Sequence, residues 1–268
     1  MIRLFQIEWI KNKSNPTFWI LIALYVLGVY MVCSLGTVLM NATINITSNS
    51  PEPIAAPIIN IYDFPDIWHN LTYIASYLRI FLGIIVIISI SNELAYRTMR
   101  QNIIDGLSHL EFLSTKLIYL IVLGVLATTM VFFVSYSFGL RYAEFMEPDM
   151  LWSKIEFVGA FFIQAVSFMS LALFIGLMFR SNGLAIVFTI AYSLFIETIF
   201  KWIFLDSEGP LAKLLPIQSM DNLIQAPFNM FDPESAQTNV DPMAMGIALG
   251  WFIVFSIGSY FLLKNKDL

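Results

Sequence analysis

The sequence predicts an all-α membrane protein of six transmembrane helices, and three observations carry that expectation. Of 268 residues, 58% are hydrophobic and only 12% are charged, where soluble domains carry about 25% charged residues. Six apolar runs, at 17–40, 71–91, 117–140, 157–179, 184–205 and 246–263, match or approach the ~20 residues that a helix needs to cross a bilayer. None of the runs alternates with period two, and each is too long for a barrel strand, so they read as helices. No repeat or low-complexity tract divides the chain, which reads as a single domain over 1–268.

The N-terminal stretch "MIRLFQIEWIKNKSNP" is not read as a signal peptide. The apolar run behind it exceeds a secretory core, and no small-residue cleavage site follows. Ile2, Phe5 and Trp9 share one helical face while Arg3, Gln6, Lys11 and Lys13 lie elsewhere. That pattern predicts a short interfacial helix over 1–15. Asn15 and Pro16 form an N-cap and first-position pair that opens the first span.

Loop charge sets the orientation. With the N-terminus in the cytoplasm, the inner segments hold nine basic residues: Arg3, Lys11, Lys13, Arg97, Arg100, Lys116, Arg180, Lys264 and Lys266. The outer segments hold three, Arg141, Lys154 and Lys213. Both termini are therefore expected inside, with Trp68, Trp152 and Trp202 as anchors at the outer boundary. On that side, 41–66 is expected to be a polar loop, and Asn41, Asn45 and Asn70 each open a sequon. Residues 206–245 mix acidic and apolar residues punctuated by prolines, which predicts short helices packed on the outer mouth. The "RSNG" turn, 180–183, forces the fourth and fifth spans into an antiparallel pair. Gly246 and Gly250, spaced as G-x-x-x-G, and the small residues of the fourth span (Gly159, Ala165, Ser170, Ala172, Gly176) predict close helix packing.

Between the second and third spans lies "YRTMRQNIIDGLSHLEFLSTKL", 96–117. Met99, Ile103, Leu107 and Leu110 recur at helical spacing. Asp105 and Gly106 mark a turn, and Ser108 with Glu111 forms a capping box. One helix is thus expected over 93–105, a turn at Gly106, and a second helix that starts at Ser108 and enters the third span. This elbow reads either as an amphipathic connector or as a docking element that passes a push from a cytosolic partner into two spans.

The stretch "NELAYRTMRQNIIDGLSHLEFLSTKL" resembles the segment after the second span of type-2 ABC exporter permeases. Glu93, Arg97 with Thr98, Gly106, Ser108 with His109, and Lys116 stand at the positions of that pattern. The family often has Ser-Arg after the turn, and here it is Ser-His. The six spans, the interfacial helix and the long last outer loop also fit. The resemblance implies a permease subunit of an ATP-driven exporter that moves an amphipathic or apolar substrate across a bacterial plasma membrane. The elbow would be its coupling helix, contacting cytosolic ABC ATPase subunits through Glu93, Arg97, Thr98, Gln101, Asp105, Gly106, Ser108, His109 and Glu111. A second permease copy or homologue would complete the unit.

The remaining residues agree with this picture. No G-x-x-x-x-G-K-[ST] loop is present, so ATP and its Mg are expected on the partner subunit. No H-E-x-x-H motif occurs, His69 and His109 are too far apart to suggest a metal site, and Cys33 has no partner within the chain. No catalytic, cofactor-binding or metal residue is assigned, and the chain is not expected to be an enzyme. A net charge of −5 disfavours nucleic acid; membrane lipids are the expected surroundings. Three ionisable residues interrupt the spans, Arg79, Glu197 and Lys201, and intramembrane charges mark functional sites by default. Arg79 and Glu197 lie at similar depth, which suggests that they pair, with Lys201 competing; the alternative is that the bases reach outward and Glu197 is simply paired. The resemblance puts spans two and five along the transport path. Two other functions stay open: a non-transporting scaffold that passes ATPase work to an outer-face partner, and, with less support, an intramembrane enzyme.

Overall fold

The computed structural model describes residues 2–49, 61–96, 98–104, 106–143, 150–179, 181–205, 209, 211–227 and 237–265, with backbone alone at 2–5, 7, 39–49, 100, 102 and 103. These residues form α1 (Ile2–Lys13), α2 (Pro16–Asn49), α3 (Ile67–Ser76), α4 (Arg79–Ala95), α5 (Thr98–Ile104), α6 (His109–Tyr142) and α7 (Glu156–Met178). Then come α8 (Asn182–Ala191), a π-helical turn (Tyr192–Ile196), α9 (Glu197–Phe204), a 3₁₀ turn (Ala212–Leu214), α10 (Pro216–Asp221) and α11 (Pro242–Asn265). No strand occurs among the described residues.

Five helical segments are long and apolar enough to cross a membrane: Pro16–Val38, His109–Tyr142, Glu156–Met178, Asn182–Phe204 and Pro242–Asn265. A sixth exists if α3 and α4, bent by 43° at their break, count as one crossing. The second expected span is thus broken, its apolar run divided at Tyr77 and Leu78, where the chain makes a turn. The start of the first crossing is as expected: Asn15 Oδ1 accepts the N–H of Thr17 at 3.0 Å. Its end is not. Residues 41–49 continue α2 as helix rather than opening a loop.

The centre of the bundle is α7, with 78% of its most apolar window buried, against 17–33% for the other four uninterrupted segments. It packs on α3, α4, α6, α8, α10 and α11. Small residues let neighbours approach: a side chain on Gly83 would meet Phe168 Cε1 at 2.7 Å. The expected seam at Gly246 and Gly250 is absent, since an added Cβ at either meets nothing within 4 Å. That face of α11 points away from the chain's other helices. Ala244 and Ala248 are the buried pair instead, and Ser167 donates to the carbonyl of Ala248 at 3.0 Å. Gly159 likewise faces open space.

Two further expectations fail on burial. Trp68 is fully buried, stacked on Phe132 at 5.2 Å and Trp152 at 5.8 Å, with its indole N–H on the carbonyl of Leu151 at 2.8 Å. It is core, not a boundary anchor. Asn70 is buried with its amide on Ile61 O at 3.0 Å, so the folded chain does not offer it for glycosylation. The side chains of Asn41 and Asn45 lie outside the described residues.

Candidate functional site

The elbow forms largely as its residues dictate. Ser108 Oγ accepts the N–H of Glu111 at 3.2 Å, and Glu111 Oε2 accepts the N–H of Ser108 at 2.9 Å, closing the capping box. Gly106 has φ +99°, a left-handed value that glycine adopts without strain. From that turn α6 runs through 34 residues without interruption. The upstream half departs from expectation. A single helix over 93–105 is interrupted at Tyr96, whose ψ of 3° leaves the helical region. α5 is therefore a separate short helix. Arg97 and Asp105 lie outside the described residues.

The described part of the elbow exposes apolar side chains. Tyr96 and Ile104 are 78% and 77% exposed, and Leu110 is also exposed. Leu110 thus leaves the stripe that Met99 begins, and Met99 is buried. Gln101 and Glu111 are exposed, and Thr98 and His109 are half-buried.

Glu93 does not belong to that surface. It is 5% exposed, beside Glu8 at 4% and Lys116 at 3%. Lys116 Nζ lies 2.5 Å from Glu8 Oε1 and 3.2 Å from Glu93 Oε2. Lys11 Nζ donates to Glu93 Oε1 at 2.9 Å. Ser89 donates to Glu8 Oε1 at 3.0 Å, and Asn12 Nδ2 donates to the same oxygen at 3.1 Å. Two bases and two acids therefore neutralise each other where α1, α4 and α6 meet. Burial works against the Glu8 carboxylate. The Lys116 charge, hydrogen bonds from Lys116 and Ser89, and the Lys11 charge outweigh it and hold Glu8 below its ordinary pKa of 4.5. Next to this network α8 is tied to α4 by Asn182 Nδ2 donating to Asn92 Oδ1 at 3.1 Å.

At the opposite end of the bundle the three intramembrane charges converge, but not on one another. Arg79 Nη2 pairs with Asp221 Oδ1 at 2.6 Å, and its guanidinium lies 5.3 Å from the ring centre of Phe168. Glu197 accepts the N–H of Ile217 at 2.9 Å and of Gln218 at 2.7 Å, the first donors of α10. Lys201 donates to Gln218 Oε1 at 2.8 Å. The expected Arg79–Glu197 pair is thus replaced by three separate contacts with α10. One of them, the Glu197 contact, satisfies two N–H groups that a six-residue helix cannot satisfy itself. Gln164 of α7 adds a bond to Met220 O at 2.9 Å, Trp251 of α11 one to Leu214 O at 2.8 Å, and His69 of α3 one with Gln225 O at 2.8 Å. The short outer helices expected in 206–245 are present in 211–221 and firmly docked.

Sequence reasoning missed Glu8, Asn12 and Ser89 at one end and Asp221 and Gln218 at the other. Residues 38–268 match the family described as "Protein of unknown function (DUF2705)", and the chain belongs to that family. No curated protein matches it.

Three outcomes are expected from this geometry. Lys116→Met, which removes the cation in contact with Glu8, lowers stability by about 3–5 kcal/mol, and adding Glu8→Gln recovers part of the loss. Thermal unfolding in detergent reads both, through reaction of a thiol dye with the buried Cys33. The pH dependence has a definite sign. A folded-state pKa below the unfolded one means that Glu8 contributes stability above about pH 4.5, lost as pH falls through the lower folded value. The unfolding midpoint therefore drops in acid, and Glu8→Gln removes that part of the drop. Finally, in double-mutant cycles Arg79→Ala couples to Asp221→Ala by about 1–3 kcal/mol, and less to Glu197→Ala.

Proposed function

We propose that this DUF2705 protein is the membrane-spanning permease subunit of an ATP-driven exporter of the type-2 ABC class. Its elbow would take up force from a separate ATPase subunit and move the bundle. The observation that carries this reading is the buried network of Lys116, Glu8 and Glu93. It ties the two ends of the elbow, in α4 and α6, to α1, and α5 packs on α4 with Met99 buried, so a push on α5 would reach three helices together. Exposed Tyr96, Ile104 and Leu110 supply apolar area for a partner next to polar Gln101, Ser108 and Glu111. Glu93 acts inside this lever as a strut, not as a residue touching the ATPase.

A second reading is favoured by one observation. Arg79, Glu197 and Lys201 are all engaged in docking α10. A chain that uses its intramembrane charges this way suits a scaffold that passes ATPase work to an outer-face partner. Both readings need the motor, and only the exporter moves a substrate.

Affinity purification of the full chain from its own host in mild detergent tests the proposal. A P-loop ATPase is expected to co-elute, and Ile104→Asp is expected to remove it without shifting the unfolding midpoint, because that side chain makes little contact with the fold. Purified complexes with no nucleotide hydrolase sink both readings. ATPase activity that rises with an amphipathic substrate favours the exporter over the scaffold.

A further inference from the structure

We propose that the groove beside α10 binds the ammonium headgroup of a membrane lipid. The groove encloses about 350 Å³ between the α3–α4 break, the π-helical turn and α10, with Tyr73, Tyr77, Arg79, Ser193, Asp221 and Gln225 in its lining. That volume falls in the range of small-ligand sites, about 300–1,000 Å³.

The accessible charge decides the sign of the ligand. The Asp221 side chain is 49% exposed, whereas Arg79 is 8% exposed and already engaged by Asp221. Arg79 Nη1 is buried without a hydrogen-bond partner, sealed from the groove. An anion would have to displace Asp221 to reach the guanidinium. A cation adds to the carboxylate where it stands. Beside it, the rings of Tyr73 and Tyr77 meet edge to face at 5.3 Å, with their hydroxyls 2.6 Å apart. A carboxylate able to accept N–H bonds, with two tyrosine rings in the same groove, is chemistry that holds a primary ammonium group.

Depth and rim identify the source of that ammonium. The 17 residues of α4 span about 25 Å. The groove at its N-terminal end therefore lies near the far boundary of a hydrocarbon layer about 30 Å thick. Its rim carries Tyr77, 63% exposed, and Leu194, 49% exposed, on segments apolar enough to cross the membrane. The groove thus meets the lipid-facing flank at headgroup level, in the leaflet opposite the elbow. The lipid contact does not depend on an ATPase partner, and its test reads nothing from one.

The full chain is placed in nanodiscs with equal parts phosphatidylethanolamine, phosphatidylcholine and phosphatidylglycerol, then released into native mass spectrometry. Phosphatidylethanolamine is expected to stay bound in preference to the other two. Asp221→Asn and Tyr77→Leu are each expected to lower its retention about tenfold, the effect of losing one strong cation contact. Tyr77→Leu alters an exposed ring, so its unfolding midpoint stays put, and it alone decides the matter if Asp221→Asn does not fold. Equal retention of the three lipids, preferential retention of phosphatidylglycerol, or retention untouched by Tyr77→Leu overturns the proposal. Displacement of the lipid by millimolar soluble phosphoethanolamine also overturns it, reassigning the groove to a free amine.

Discussion

One ammonium group organises the elbow end of this protein. Lys116 rises from the first turns of α6 into a buried site, and it is stable there only because Glu8 and Glu93 arrive from two other helices. Apolar residues in place of all the charged partners would pack as well and avoid the desolvation cost. What the ions add is geometric: α1, α4 and α6 must all be present, in one register, for the charges to cancel. Lys11 extends the requirement, since it shares Glu93 from the same helix that supplies Glu8. The N-terminal helix α1 therefore does not lie apart from the other helices. It is the third wall of a polar box that opens on one side to a cavity lined by Glu8, Lys11, Ser89 and Glu93, and the elbow cannot shift relative to the bundle without breaking those contacts or carrying them along.

The opposite end solves the converse problem. Here a segment too short to be a stable helix by itself is held by groups from the long helices. Glu197 occupies the place of an N-terminal cap, although it comes from α9 and not from the residues preceding α10. The π-helical turn directly before Glu197 adds a residue to the helical repeat and resets the facing of α9. A carboxylate that a regular helix would present elsewhere can so meet the α10 backbone. Polar chemistry inside the apolar layer is spent on docking, and each charge has a partner on the segment that closes the bundle.

Much of this was legible in the residues. Run length and composition placed the long helices, Asn15–Pro16 the start of the first, and Ser108–Glu111 with Gly106 the elbow, because these features are local and their physics is complete within a few residues. Long-range partners were not. Arg79, Glu197 and Lys201 sum to one positive charge, which requires an acid from outside the spans, yet nothing local singles out Asp221 among the acids of 206–245. Similar depth made Arg79 and Glu197 look like partners, but depth constrains one coordinate, and each meets a different part of α10: Arg79 the Asp221 carboxylate, Glu197 the N–H groups of Ile217 and Gln218. Glu8 hid for a related reason: a lone acid on a short basic helix reads as a surface residue until α6 brings Lys116 over it. The G-x-x-x-G of α11 failed because small residues permit close approach without supplying a partner.

Among the described residues, α4 is the element with a charged contact at both ends, Glu93 in the polar box and Arg79 on Asp221. Between them run 13 residues of uninterrupted helix, a rod of about 20 Å, flanked by α7. The continuity of α4 stops at two places: at Tyr96, before α5, and at the 43° break that separates α4 from α3. Between those breaks the helix itself fixes the spacing of the two ion pairs, so the polar box and the Asp221 contact cannot shift independently along α4. Beyond the second break α3 is held separately, with Trp68 and His69 buried in the core. Where the helix is continuous and where it is broken thus decides which contacts are coupled.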